Sequence, residues 1–220
     1  MSFILSFSSF IKRLMNDFMN TYHVSRETFD ILSRYVNILT EWQSKMNLVS
    51  PKSLDQIWTR HIADSAQLFA HLNSDSKLVY DIGSGAGFPA IVLAVMSKAE
   101  HRDTKFKLIE SITKKTVYLN AVKTELELNN IEIINARTEN LKLPPADIIT
   151  ARAVAALDKL LGFAFSFTSK NTILLLPKGK TYQEEVLEAK KHWRFDFEII
   201  QNMVEPEGVI LKISNLRKNK

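Results

Sequence analysis

From residue 77 onward the chain alternates short β-rich runs with helical stretches, and this alternation constrains the fold more than any other feature. The β-rich runs are Leu78–Ile82, Phe106–Glu110, Ile131–Ile134, Asp147–Thr150 and Thr172–Leu176. Helical patterns fall between them, at about 89–98, 114–128, 157–167 and 182–192. Strands that alternate with helices join a sheet through right-handed crossovers and therefore run parallel. Two last runs, Phe195–Gln201 and Gly208–Ser214, have only Asn202–Glu207 between them, too short for a crossover, so they form an antiparallel hairpin. The expectation is an α/β, Rossmann-like sheet of seven strands, mostly parallel, closed by an antiparallel C-terminal hairpin.

Residues 1–75 read as helices only, so the chain divides into an N-terminal helical extension, 1–75, and a sheet domain, 76–220. Phe7, Phe10, Ile11, Leu14 and Phe18 recur at helical spacing. Phe29, Leu32, Tyr35, Val36, Leu39 and Trp42 do the same between Ser25 and Ser44. After a break at Asn47–Pro51, Ser53 and Gln56 have capping-box spacing for a helix running to about Leu72.

The chain has no cysteine, which removes disulfides, thiolate metal sites and any cysteine nucleophile. The five histidines are scattered without paired ligand spacing, so no metal is expected. No apolar run approaches the ~20 residues of a membrane span, and the N-terminal charges follow the apolar run instead of preceding it, unlike a signal peptide. The default expectation is a cytoplasmic monomer. The net charge of +5 leaves an acidic partner open. The last ten residues carry four basic and no acidic side chains, so the body of the chain is nearly neutral.

The most informative segment is Asp81-Ile-Gly-Ser-Gly-Ala-Gly-Phe-Pro89. A β run ends at Asp81, three glycines follow at alternate positions (Gly83, Gly85, Gly87), and a helix begins near Pro89. In the first βα loop of a doubly wound sheet this is where a nucleotide-like ligand sits. The dinucleotide pattern G-x-G-x-x-G fails at Phe88, and an acid two residues before the first glycine suits a pyrophosphate poorly. S-adenosylmethionine has no phosphate, and its amino and sulfonium groups are cationic, so Asp81 favours it. Glu110, at the end of the second strand, has the place of a carboxylate that accepts both ribose hydroxyls. The loop Arg137-Thr-Glu-Asn140 follows the third strand, where an adenine lies in such folds. Arg152, between two alanines after the fourth strand, has the position that faces the transferred methyl group.

The residue types also limit the atom that is methylated. Carbon-5 of a pyrimidine requires a cysteine nucleophile, and none exists. Exocyclic amines are commonly methylated by an Asn/Asp-Pro-Pro-aromatic loop after the fourth strand, where this chain has Thr150-Ala-Arg-Ala153. A ring nitrogen with a free lone pair, such as guanine N7, needs only to be held in line with the methyl group.

Taken with Asn47-Leu48, Arg60-His61-x-x-Asp64-Ser65, Leu108-Ile-Glu-Ser111 with Lys114-Lys115, Arg137-x-Glu139 and Leu176-Pro-Lys-Gly179, these motifs resemble one family over most of the chain. It is the small-subunit ribosomal RNA guanine-N7 methyltransferases, historically called glucose-inhibited division protein B. The resemblance implies a class I S-adenosylmethionine-dependent methyltransferase acting on a guanine of 16S rRNA near the decoding centre. It implies that Gly83 and Phe88 line the methionine side of the cofactor, that Thr138 and Glu139 lie at its adenine, and that Arg152 reaches both cofactor and target base, as the catalytic residue. The second-strand acid, often aspartate in the family, is Glu110 here. Arg60, His61 and Lys178 are candidate RNA-phosphate contacts, although Arg60 and Asp64, four apart on a helix, could pair with each other instead. Rival readings are a methyltransferase for a protein or small molecule, an NAD-type oxidoreductase, and a non-catalytic RNA binder.

Overall fold

The computed structural model describes residues 13–219, so Phe7, Phe10 and Ile11 of the expected first helix lie outside the described residues. Helix α1 covers 13–22, and its Phe18 packs edge-on against Phe29 and Trp58. Helix α2 (Arg26–Gln43) starts where Ser25 accepts a hydrogen bond from the Thr28 amide, and its apolar stripe of Phe29, Leu32, Tyr35, Ile38 and Leu39 is buried.

The long helix expected from Ser53 does not form as one piece. Its start is Ser50, whose hydroxyl accepts from the Ser53 amide, with Pro51 at the first helical position of the short α3 (Pro51–Leu54). A π-helical stretch (Trp58–Ala63), one turn of α4 (Asp64–Ala66) and a 3₁₀ stretch (Gln67–His71) follow. Such π segments occur frequently at functional sites. This one carries Arg60 and His61, with Asp64 just beyond it.

The sheet consists of β1 (Leu78–Ile82), β2 (Lys105–Glu110), β3 (Ile131–Asn135), β4 (Ile148–Thr150), β5 (Ile173–Lys178), β6 (Trp193–Gln201) and β7 (Val209–Lys218). Its order is β3-β2-β1-β4-β5-β7-β6. The first five strands run parallel, and β7 is antiparallel to both β5 and β6. The hairpin therefore folds back so that its second strand, not its first, joins the parallel sheet.

Both faces of the sheet are covered, which is why the parallel strands read as nearly continuous apolar runs. On one face lie α5 (Ala90–Ala99), α6 (Thr113–Glu125) and the N-terminal helices, in one cluster with Val79, Phe106, Leu108 and Ile148. On the other, α7 (Leu157–Ala164) and α8 (Tyr182–Ala189) pack with Tyr80, Ile82, Ile109 and Ile149. Helix α5 is apolar on nearly every side and buried from Ala90 to Ser97 because the N-terminal helices cover the side it turns away from the sheet. At its centre β1 has β2 on one side and β4 on the other, so the connections after β1 and β4 leave in opposite directions. Ligands of open α/β sheets bind in the crevice that such a switch point leaves at the carboxyl ends of the strands.

Candidate active site

A cleft of about 790 Å³ lies at that switch point, within the size range of small-molecule sites. Its walls come from the loop after β1 (Gly83, Ser84, Gly85, Ala86, Phe88), the end of β2 (Glu110), the loop after β4 (Arg152, Ala153, Ala155), the helical extension (Arg60, His61, Asp64) and the β6–β7 loop (Asn202, Glu205, Glu207, Gly208).

The three glycines do different work. All have positive φ, which lets the loop turn sharply after β1. A Cβ on Gly83 would stand 2.7 Å from Val154 Cγ2, and one on Gly87 would stand 2.8 Å from Ile91 and 2.9 Å from Tyr35 Oη. Those two glycines are required by packing inside the protein. Gly87, expected as a cofactor contact, is not part of the cleft wall. A Cβ on Gly85 would meet only the Gly83 carbonyl, at 3.7 Å, so of the three this glycine is the one that leaves room for a ligand.

The loop is held from below by two tyrosines. Tyr35 Oη and Tyr118 Oη both donate to the Ala86 carbonyl, at 2.6 and 3.1 Å. From the cleft side Glu110 Oε2 accepts from the Gly85 amide at 2.9 Å and its Oε1 from the Ile112 amide at 2.8 Å. The extra methylene of glutamate relative to aspartate lets this carboxylate span both amides, and each oxygen keeps a second lone pair for a ligand hydroxyl.

Asp81 is 1% exposed and lies behind the cleft wall, at the end of β1. Its Oδ1 accepts from Thr150 Oγ1 at 2.7 Å, and among the described residues its Oδ2 has no partner. Burial pushes its carboxyl up to about 7, against the pull of its hydrogen bonds and of the Arg152 charge. A buried acid with an unpaired oxygen suits a cationic ligand group.

Arg152 is clamped by the helical extension. Its Nη1 donates to Asp64 Oδ2 at 3.0 Å and to the Arg60 carbonyl at 3.1 Å, and its Nη2 donates to His61 Nδ1. Its guanidinium carbon stands 5.0 Å from the centre of the Phe88 ring, and the His61 ring stacks on the same phenyl group at 4.9 Å. Because a guanidinium only donates, His61 Nδ1 must accept, and the ring proton sits on Nε2. Burial, with the charges of Arg152 and Arg60, pushes His61 down to about 3, so the ring is neutral. Immediately after Arg152 the chain turns at Ala153, whose φ of 55° is rare for a residue with a Cβ.

Asp64 pairs with Arg152, not with Arg60, which instead forms a half-exposed ion pair with Glu205 at 3.0 Å. Lys178 is 9% exposed, and its Nζ is bound to Glu185 at 2.8 Å and to the Ala155 carbonyl at 3.3 Å. Glu185 also accepts from the Leu157 amide at the start of α7. Lys178 therefore ties α7 and α8 to the end of β5, with two of its three ammonium donors engaged inside the protein. Thr138, buried, and Glu139, exposed, form a short 3₁₀ turn beyond β3 and are not part of the cleft wall, which ends on that side at Glu110 and Lys115.

Sequence reasoning missed Tyr118, Gln67 and Asn202, and read Tyr35 only as part of an apolar stripe. Asp64 Oδ1 accepts from Gln67 Nε2 and Asn202 Nδ2, both at 2.9 Å. Asn202 Oδ1 accepts in turn from the Val204 and Glu205 amides, which ties Arg152 to the β6–β7 loop. A tyrosine on a buried helix face needs a partner for its hydroxyl, and that was the available signal for Tyr35 and Tyr118.

Known proteins resemble this chain at two levels. Among solved structures, a SAM dependent methyltransferase from Aquifex aeolicus superposes with a TM-score of 0.55 at 14% identity, covering 76% of this chain and 98% of that one. M. jannaschii TYW2 in complex with AdoMet gives a TM-score of 0.53 at 16% identity and covers 80% of each chain. These likenesses establish the fold as that of class I methyltransferases. In sequence, the ribosomal RNA small subunit methyltransferase G of Cereibacter sphaeroides is 40% identical over 193 residues, 88% of this chain and 93% of the relative. That of Bartonella tribocorum is 41% identical over 196 residues, 88% of this chain and 91% of the relative. The profile of the family described as rRNA small subunit methyltransferase G matches residues 28–213, from α2 to β7, and the chain belongs to that family.

Proposed function

We propose that the protein transfers a methyl group from S-adenosylmethionine to N7 of one guanine in 16S rRNA near the decoding centre, with the small ribosomal subunit or its precursor as partner. Family membership supports the reaction class, and the cleft supports its chemistry. The observation that carries the choice of a ring nitrogen is that the acids around Arg152 and the glycine loop already have partners, while the one cleft-wall acid without a partner among the described residues, Glu207, is exposed on the β6–β7 loop. Glu110 is bound by two backbone amides, Asp64 by Arg152, Glu185 by Lys178 and Glu205 by Arg60. His61 is neutral and its Nδ1 is taken. N7 has no proton to lose, so a site with no free base beside Arg152 suits it, and catalysis reduces to alignment.

The residues fit the cofactor. The unpaired Oδ2 of Asp81 offers an acceptor for a cationic group behind the glycine loop, the open face of Gly85 gives room, and the free lone pairs of Glu110 suit ribose hydroxyls. The cofactor supplies an electrophilic methyl: the N7 lone pair forms the new bond while sulfur keeps the electrons of the broken one. Gly83, Phe88 and Arg152 shape the wall beside the methyl, the adenine lies past Glu110 toward the turn of Thr138 and Glu139, and Arg60 and His61 stand at the mouth toward RNA. The reading includes a monomeric enzyme that works in the cytoplasm. No helix among the described residues is long and apolar enough to cross a membrane.

The test is methyl transfer from labelled S-adenosylmethionine to small subunits lacking the modification, beside free nucleosides and protein extracts. Label entering the rRNA supports the reading. Label entering only protein or a small molecule transfers the function to the rival substrate class.

A further inference from the structure

The Asp64–Arg152 pair is more buried than RNA contacts at a cleft mouth require: the two side chains are 9% and 16% exposed. Both donor hydrogens of Nη1 are consumed, one by the Asp64 carboxylate and one by the Arg60 carbonyl. The carboxylate is held in turn by Gln67 and Asn202, so its orientation is fixed from three sides. A cationic wall is an unexpected neighbour for a cationic ligand. In a site of reduced dielectric, like charges a few ångströms apart repel strongly.

We infer that Asp64 is a positioning residue whose charge offsets that of Arg152, so that the cleft accepts a sulfonium beside a guanidinium. The inference rests on the reading that the cleft binds S-adenosylmethionine. Methyl transfer to a neutral ring nitrogen moves one positive charge from sulfur to the base, and a wall of zero net charge opposes neither the start nor the end of that movement. Asp64 also sets where the guanidinium lies. Arg152 retains Nε–H and the second Nη2 hydrogen, which have no acceptor among the described residues.

The discriminating measurement is the ratio of affinities for S-adenosylmethionine and S-adenosylhomocysteine, which differ by one methyl group and one positive charge. Calorimetry on the full chain compares wild type with Asp64→Asn, Arg152→Gln and the double variant. The pair then carries a charge of zero, plus one, minus one and zero. Asp64→Asn is expected to weaken S-adenosylmethionine by about tenfold more than S-adenosylhomocysteine. Arg152→Gln shifts the ratio the opposite way, and the double variant returns it to within about threefold of wild type. A purely structural role for Asp64 would weaken both ligands equally. A ratio unchanged in both Asp64→Asn and Arg152→Gln overturns the inference. If Asp64→Asn does not fold, the Arg152→Gln and double-variant arms still decide it. Failure of the underlying reading looks different, because wild type would then bind neither ligand.

Discussion

Tyr35 donates a 2.6 Å hydrogen bond to the carbonyl of Ala86, 51 positions further along the chain, and so joins the helical extension directly to the glycine loop. Tyr118 of α6 donates to the same carbonyl, and both hydroxyls are buried. One residue earlier the Gly85 amide donates to Glu110, so the loop is held from both the helices and β2. The extension is therefore part of the cofactor site's foundation. Tyr35→Phe removes one of two donors from a buried acceptor and should cost about 1–2 kcal/mol of stability. It should also weaken S-adenosylhomocysteine several-fold. Melting curves and calorimetry check both; unchanged affinity would show that Tyr118 alone fixes the loop.

Gly85 and Gly87 separate binding from folding. Gly85→Val places its side chain in open space, so cofactor binding should be lost while stability falls by the backbone strain of a β-branched residue at positive φ, about 1–3 kcal/mol. Gly87→Ala meets Ile91 and Tyr35 and should cost stability first. Calorimetry and thermal melts on the two variants should show this opposite ordering.

Asp81 makes stability depend on pH with a definite sign. Its carboxyl is raised from 3.8 to about 7, so the folded protein holds a proton that the unfolded chain releases. The contribution of this group is fully present below pH 3.8 and is lost as pH rises through about 7. Between those values it amounts to at most about 1.4 kcal/mol per pH unit. Asp81→Asn should therefore stabilise the ligand-free protein relative to wild type more at pH 8 than at pH 5, and should weaken S-adenosylmethionine. Equal effects at both pH values would mean that the acid is not protonated in the fold.

Arg60 and Lys178 should respond differently although both line the cleft. Arg60 is half exposed, and its ion pair with Glu205 can exchange for a phosphate. Arg60→Ala should weaken rRNA binding and lower the slope of log K against log salt by about 1. Lys178→Ala should leave that slope unchanged and cost about 1–3 kcal/mol, because Glu185 loses its partner at a largely buried position. Salt titrations of RNA binding and denaturant melts distinguish the two.

The sheet was legible because parallel strands buried on both faces are written as unbroken apolar runs such as Ile173-Leu-Leu-Leu176, and crossover handedness leaves few arrangements. The segment from Ser50 to His71 was not, because apolar periodicity cannot distinguish an α-helix from a π turn followed by a 3₁₀ turn. The glycine loop announced itself by spacing, but spacing could not say which glycine faces a ligand. That depends on Val154, Ile91 and Tyr35, which packing brings there from other elements. The clamp on Arg152 was invisible for the same reason. Its partners Asp64 and His61 lie 88 and 91 positions away, and local spacing offers Asp64 only its helical neighbour Arg60 as an alternative partner.

The central claim is tested most directly by mapping the methyl group on small-subunit rRNA after incubation of unmodified subunits with the purified protein and S-adenosylmethionine. The account predicts 7-methylguanosine at a single guanine near the decoding centre, and nothing there when Gly85→Val replaces the wild type. A methyl group on an exocyclic amine, on a pyrimidine carbon, or on no rRNA nucleotide at all would contradict it.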